Sequence, residues 1–189
     1  MKSREKVFFD SFRDVVKAVH STLDIREVLK MLVSKVAEVM NVKGCAIRLL
    51  DPNTRTLGLV ASHGLSEKYI HKGSVGADRS IAEAMEGKTV SVYNAIEDPR
   101  AQYQKEAAEE GIYSIISVPL SIKGRVIGVL RLYTAEPRTF SEEEISFAEA
   151  LAEMGAIAIE NARMYETIRK DYENVMSDIY AFVGYRRSI

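Results

Sequence analysis

The chain has 189 residues, of which 47% are hydrophobic and 28% are charged, a composition that excludes global disorder. Its 26 lysine and arginine residues face 27 aspartate and glutamate residues, so the formal net charge is −1. This near-neutrality argues against a general binder of nucleic acids or acidic membranes. Cys45 is the single cysteine, which excludes an intrachain disulfide or a multi-cysteine zinc site and favours a cytoplasmic setting.

The N-terminal segment does not have the pattern of a targeting sequence. Asp10, Arg13 and Asp14 interrupt the stretch that a secretory leader would need to be apolar. No window approaches the roughly 18 uninterrupted apolar residues of a membrane-spanning helix. We therefore expect neither a leader nor a membrane span.

Two helices are predicted before the first strand. Asp24 as an N-cap, with Glu27 three residues later, predicts the start of the second helix. The first helix is predicted from spacings of four, three and four between Phe8, Phe12, Val15 and Val19. The apolar face of the second comprises Ile25, Val28, Leu29, Leu32, Val36 and Met40.

From Cys45 onward, apolar residues alternate with a period of about 2 and β-branched residues are frequent, as in strands. The predicted strands are 45–50, 57–62, 90–93, 113–120 and 125–133. Turn residues join the first two and the last two, so each of these pairs is expected to form an antiparallel hairpin. Short helices are predicted at 67–71, 80–86 and 103–110.

The last predicted helix is the longest element. Ser141 followed by Glu142, Glu143 and Glu144 predicts a capped helix start with acids in the first turn. The helix would run for about 40 residues and about 60 Å, which is longer than a small domain is wide. A heptad seam, apolar except for Asn161, comprises Phe147, Leu151, Met154, Ala158, Asn161, Tyr165, Ile168, Tyr172, Val175, Ile179 and Phe182.

This seam predicts that the last helix pairs with the same helix of a second chain, so that the protein is a homodimer. Apolar residues beside the seam favour a wider bundle that includes the first helix. A single amphipathic helix that folds back on the first helix is the alternative. The predicted dimer interface is Phe8, Phe12, Val15, Val19, Leu151, Met154, Ala158, Asn161, Tyr165, Ile168, Tyr172, Val175 and Ile179.

Several short motifs in the second half occur in a characteristic order. They are Ser117-Val118-Pro119-Leu120, Gly124, Ile127-Gly128-Val129-Leu130, Phe140-Ser141-Glu142-Glu143-Glu144, Leu151-Ala152 and Ala158-Ile159-Glu160-Asn161-Ala162. With Leu23-Asp24 and Asp98-Pro99-Arg100, they make residues 21–165 resemble the GAF family of small-molecule sensor domains.

The resemblance implies an α+β, profilin-like fold. It implies a central antiparallel sheet of five or six strands, with the first, second and long C-terminal helices on one face. A ligand pocket would lie under loops on the other face. We accordingly divide the chain into an N-terminal dimerisation helix (1–20), a sensor domain (21–165) and a helical, coiled-coil-like extension (166–189).

Three ligand classes of this family have marks that the sequence lacks. There is no Asn-Lys-x-Phe-Asp-Glu string of cyclic-nucleotide binders, and Cys45 is followed by Ala46 instead of the Cys-His pair of bilin-binding members. A dithiol reductase cycle on methionine sulfoxide requires more than one cysteine. His20, His63 and His71 are too scattered to predict a metal site. The resemblance therefore leaves the ligand or cofactor open.

Two arginines stand within apolar strands, Arg48 in the first and Arg131 in the last. The family topology places these strands side by side, and strand alternation lets both guanidinium groups share a face. A buried guanidinium needs an anion, so we predict that both face a ligand carrying a carboxylate or phosphate. The alternative is that they reach solvent or pair with protein acids. The other predicted pocket residues are Tyr133, His63, Val129 and Ile127.

No phosphate loop, nucleophile elbow, zinc-protease helix or kinase signature is present in the sequence. The expected function is therefore a non-catalytic signal-transduction module that binds a small ligand and acts through a dimeric helical bundle. A separate effector protein would receive the signal. The alternatives are a dimerisation scaffold with a vestigial pocket, or an enzyme acting on a small metabolite.

Overall fold

The structure is a computed structural model and describes residues 4–21, 24–73, 75–77 and 81–186. Leu23 and Ser80, which belong to predicted helix starts, lie outside the described residues, as do the side chains of His20 and Phe182.

Six helices and six strands make up this part of the chain. The helices are α1 (Arg4–Ser21), α2 (Ile25–Val39), α3 (Glu67–Ile70), α4 (Ala82–Met85), α5 (Gln104–Glu110) and α6 (Glu142–Arg186). The strands are β1 (Gly44–Asp51), β2 (Thr56–His63), β3 (Val75–Gly76), β4 (Val90–Val92), β5 (Ser114–Ile122) and β6 (Arg125–Thr134). They form one antiparallel sheet in the order β3-β2-β1-β6-β5-β4, which confirms the predicted α+β class. The two-residue strand β3 is too short for a sequence period and was missed.

Helices α1, α2 and the first half of α6 cover one face of the sheet, as predicted, and enclose the main core. Val15, Leu32 and Leu151 contribute one residue from each helix, and none of the three retains exposed surface. Gly155 lets α6 approach α2, because a Cβ atom there would lie 3.2 Å from Leu32 Cδ1. The helix side of the sheet is therefore a closely packed hydrophobic layer.

Helix α1 packs within its own chain. The Phe8 ring stacks on the Phe147 ring of α6, with 4.3 Å between ring centroids and 10° between planes. Val15, Leu151 and Ala158, all predicted for the dimer interface, are buried by their own chain. Packing in a single chain thus accounts for the apolar character of these residues.

The short helices α3, α4 and α5 lie on the opposite face, which we call the loop face. Two smaller apolar clusters fill the space beneath them. Tyr69 of α3 packs with Tyr133 of β6, and Ile81 before α4 packs with Val129 of β6. Strand β6 therefore contributes side chains to both faces of the sheet.

A β-bulge corrects the prediction that Ile127 lines the loop-face pocket. Leu120 pairs with Gly128 while Ser121 pairs with Val126, so Ile127 has no partner on β5. The bulge breaks the two-residue alternation, and Ile127 packs in the helix-side core. A strict strand period would have placed it on the same face as Val129.

Gly128 permits the close approach of the two central strands. A Cβ atom at this position would lie 2.3 Å from the carbonyl oxygen of Arg48 on β1. Since that oxygen belongs to the backbone, a side chain at Gly128 would force the strands apart. Gly128 thereby helps to set the position of Arg48.

We expect Gly128→Ala to lower the free energy of unfolding by about 1–3 kcal/mol, because the added methyl group overpacks a strand contact. Urea unfolding followed by circular dichroism measures the change. Gly58→Ala is the matched control, since a Cβ atom on Gly58 of β2 would meet nothing within 4 Å. Equal destabilisation by both substitutions would contradict the close-approach argument.

Candidate functional site

A small cavity of about 20 Å³ lies on the loop face, between the sheet, α3 and α5. A void of this size holds about one water molecule. Its walls combine apolar residues with several polar and cationic side chains. They are Tyr69, Lys72, Val75, Ala95, Ala101, Gln102, Tyr103, Ala107, Ile115 and Arg131.

The two strand arginines are buried on the loop face. Arg131 pairs with Ala46, and Arg48 pairs with Val129 two positions along, so the side chains are diagonal neighbours on adjacent strands. Arg48 and Arg131 are 3% and 4% exposed. The prediction left open whether these arginines reach solvent, and the structure places both inside the protein.

The two guanidinium groups have few partners. Arg48 Nη1 donates to the Leu57 carbonyl oxygen at 3.3 Å, while the buried Arg48 Nε has no hydrogen-bond acceptor among the described residues. Arg131 Nε is likewise buried without an acceptor in this part of the chain, and the Arg131 guanidinium carbon lies 5.6 Å from the Tyr133 ring centroid. Within the described ranges, neither arginine forms a salt bridge with a carboxylate.

Lys72, which follows α3, adds a third cationic group that sequence patterns did not predict. Its Nζ donates to the Tyr69 carbonyl oxygen at 3.0 Å and lies 3.3 Å from the Tyr69 ring centroid. Burial, and after it the charges of Arg48 and Arg131, lower the pKa of Lys72 to about 7 against the opposing effect of nearby glutamates. Near neutral pH, Lys72 can therefore exchange a proton.

Tyr133 adds an unused polar group to the same region. The Tyr133 side chain is fully buried, and its hydroxyl has no hydrogen-bond partner among the described residues. Its ring meets the Tyr69 ring edge to face, with 5.8 Å between centroids. Burial raises the pKa of Tyr69, so the Tyr69 hydroxyl is neutral at physiological pH. Neutral hydroxyls and guanidinium groups are donors suited to an anion.

Polar contacts join α3 and α5, the two helices that contribute Tyr69 and Ala107 to the cavity wall. The Ser66 backbone N–H donates to Glu110 Oε1 at 2.8 Å, and the Ser66 hydroxyl bonds the second oxygen of that carboxylate. Lys68 Nζ lies 2.8 Å from Glu109 Oε2. These exposed contacts are weak, so the two helices can separate at modest free-energy cost.

Of the six predicted pocket residues, Arg131 alone lines the cavity. His63 is exposed at the end of β2 and does not line the cavity. Cys45 is fully buried on the helix side, and burial raises the pKa of its thiol, as expected for a structural cysteine. Arg48, Arg131, Tyr133 and Val129 do share the loop face.

No candidate metal centre is found among the described residues. They contain no group of three or more histidine, cysteine, aspartate or glutamate side chains that could hold a metal ion. Among the same residues, no helix has both the length and the apolar character needed to cross a membrane.

The chain resembles sensor and regulatory proteins of known kinds. It is 28% identical over 186 residues to the methyl sulfide methyltransferase-associated sensor of Methanosarcina acetivorans, covering 95% of this chain and 18% of that protein. It is 27% identical over 179 residues to the formate hydrogenlyase transcriptional activator of Salmonella typhimurium, covering 89% of this chain and 26% of that protein. The chain therefore spans about a fifth to a quarter of the length of these relatives.

The fold is also similar to those of solved structures. The GAF domain of an Acinetobacter phosphoenolpyruvate-protein phosphotransferase superposes with a TM-score of 0.73 at 27% identity, covering 87% of this chain and 97% of that one. The model of the GAF domain family matches residues 22–160, more than half of the chain. The resemblance suggested by the motifs is thus confirmed, and the chain belongs to the GAF domain family, as a sensory domain of the kind found in signalling and regulatory proteins.

Proposed function

We propose that this chain is a non-catalytic, cytoplasmic sensory module that binds a small anion in the loop-face cavity and transmits binding through paired α6 helices. One observation carries the proposal. Arg131 and Lys72 line a single cavity, with Arg48 on the adjacent strand, and no described carboxylate pairs with either arginine. An anion that entered the cavity would supply the missing counter-charge.

Electrostatics favours this ligand class over a neutral one. A buried charge without a partner has lost its hydration and gained little in return. A carboxylate or comparable oxyanion in the cavity can accept hydrogen bonds from the Arg131 guanidinium, whose buried Nε has no acceptor among the described residues. Because the cavity of about 20 Å³ holds about one water molecule, even acetate or sulfate requires α3 and α5 to separate, and the small volume favours a compact ligand.

Strand β6 provides a physical route from the cavity to α6. Arg131 projects from its loop face, while Leu130 and Leu132 pack in the helix-side core. Arg138, between β6 and α6, contacts the Glu144 carboxylate at 2.5 Å and donates to the Asn41 carbonyl oxygen at 3.0 Å. The short, anchored connection supports transmission of a small shift in β6 to the start of α6.

The second half of α6 supports the proposed homodimer. Its apolar seam continues beyond the domain and is exposed at Tyr165 (52%), Ile168 (67%) and Tyr172 (65%), and further on at Val175 and Ile179. A heptad seam with this exposure suits pairing with the same segment of a second chain. A ligand would then act by changing the packing of the paired helices, and a separate effector would respond.

A scaffold with a vestigial pocket is the competing function. It shares the exposed α6 seam but gives the buried arginines no ligand. An enzyme acting on a small metabolite is the third candidate, and a turnover assay tests it. Stabilisation by an anion is expected of the sensory module and not of the scaffold, so it separates these two functions.

We expect opposite effects of Arg131→Met in the absence and presence of an anion. Without anion, the variant should be more stable than wild type by about 1 kcal/mol or more, because an unpaired buried charge is removed. Wild type should be stabilised by acetate or sulfate at constant ionic strength, by about 2.7 kcal/mol at 100 times the Kd, while the variant should not. Thermal unfolding measures both effects.

Arg125→Met is the matched control, because Arg125 is an exposed arginine on the same strand. It should leave both the ligand-free stability and the anion effect unchanged. Equal stabilisation of wild type and Arg131→Met by every anion in a panel of acetate, sulfate, nitrate and phosphate would contradict the proposed site.

We expect sulfate affinity to fall as pH rises from 6.5 to 8.5. Lys72 has a pKa of about 7 in the free protein, and an anion favours its charged form, so binding takes up a proton above that pH. The decrease can reach about tenfold per pH unit. Glu106 and Glu110 also act on Lys72, but Glu110 keeps its charge in this range because Ser66 hydrogen bonds offset burial and hold its pKa below normal.

Titration calorimetry in buffers of different ionisation enthalpy measures this proton uptake. Lys72→Met should abolish both the uptake and the pH dependence. Without sulfate, wild type should gain stability relative to Lys72→Met between pH 7 and about 10, because the lysine pKa is lower in the folded than in the unfolded chain. A pH-independent affinity in wild type would contradict a role for Lys72.

We expect the combined substitutions Ile168→Glu and Tyr172→Glu to convert a dimer into a monomer, because four like charges would meet at one seam. Light scattering after size exclusion at micromolar concentration measures the mass. Lys170→Glu, on the far side of the helix, is the control and should stay dimeric. A monomeric wild-type chain would contradict the homodimer.

A further inference from the structure

We propose that Lys72 forms a reversible imine with a small 2-oxo acid or aldehyde acid whose carboxylate binds Arg131. This inference rests on the proposed anion site and names the chemical class of its ligand. It adds a covalent step to binding, with no turnover.

The geometry pairs an amine with a carboxylate-binding group. Lys72 and Arg131 line the same cavity of about 20 Å³, so a ligand that contacts one is within reach of the other. A 2-oxo acid carries its carbonyl carbon next to its carboxylate carbon. A carboxylate bound to the Arg131 guanidinium would place that carbonyl carbon in the cavity that Lys72 also lines.

The surroundings hold Lys72 Nζ in place. The Tyr69 ring face is 3.3 Å away, measured to its centroid, and the Tyr69 carbonyl oxygen accepts a hydrogen bond at 3.0 Å. Val75, Ala107 and Ile115 provide apolar walls. Apolar walls limit the access of water, which would hydrolyse an imine, and so favour its persistence.

Lys72 also has the protonation behaviour that imine chemistry requires. A lysine acts as a nucleophile only as the free amine, and desolvation beside other cations is the usual means of producing it. Burial, and after it the charges of Arg48 and Arg131, lower the pKa of Lys72 to about 7 and so favour the free amine. The contrast is Lys68 on α3, where a hydrogen bond with Glu109 raises the pKa and keeps the amine protonated.

The reaction balances without an oxidant or reductant. The Nζ lone pair attacks the carbonyl carbon, so that a C–N bond forms as the C=O π bond breaks, and a proton passes from the nitrogen to the oxygen to give a carbinolamine. Loss of that oxygen as water, with a proton that the nitrogen gives up, leaves the C=N bond. Hydrolysis reverses both steps and returns the free lysine and the intact acid.

Reductive trapping with cyanoborohydride tests the imine on the 189-residue chain. Pyruvate or glyoxylate is incubated with the protein at pH 7.5, sodium cyanoborohydride is added, and the product is digested and mapped by mass spectrometry. We expect one reduced adduct per chain, located on Lys72. Lys72→Arg should lose the adduct, and an excess of acetate should slow its formation by occupying the carboxylate site.

Lys68→Arg is the matched control, because Lys68 is an exposed lysine on α3. It should react like wild type. No adduct, or adducts spread equally over surface lysines, would overturn the imine proposal. If pyruvate still stabilises wild type and not Arg131→Met, the anion site stands and only the imine fails. If no anion stabilises the chain, the proposed function itself has failed.

Discussion

A buried guanidinium that has no carboxylate partner among the described residues is the constraint on which the loop face depends. Arg131 is 4% exposed, and its Nε has no acceptor within the described residues. Such a charge persists only because the rest of the fold holds β6 in place between β1 and β5. The helix-side core, which packs three helices on the same sheet, provides that stability. The helix side of the sheet thus stabilises the fold, while the loop face holds the buried charge.

The loop face is built to change at low free-energy cost. Its cover consists of helices of four to seven residues, joined by exposed contacts such as those between Lys68 and Glu109. Such segments open locally far more readily than a packed core. A cavity that holds about one water molecule is compatible with this behaviour, since a ligand that pairs with the buried Arg131 would also offset the free-energy cost of separating α3 and α5.

Local sequence patterns predicted the elements that have a hydrophobic period or a helix-capping motif. The Ser141 and Glu144 capping box is present at the start of α6, with mutual hydrogen bonds of 2.9 and 3.3 Å. Arg48 and Arg131 were found because a charge in an apolar strand is conspicuous. Ile127 was misplaced because a bulge changes the strand period without a residue signal. Lys72, Gln102 and Tyr103 were missed because only the tertiary fold brings their loops together.

Successive side chains of β6 point to opposite faces of the sheet, which explains why a charge on the loop face can affect helices on the helix side. Arg131 lies between Leu130 and Leu132, and both leucines are fully buried in the core that includes Phe147 and Leu151 of α6. A close-packed core cannot absorb a strand displacement by compression, so its helices must shift with the strand. Under the proposed function, an anion that draws Arg131 toward the loop face would therefore also move the packing surface of α6. The exposed second half of that helix would extend the same shift beyond the domain.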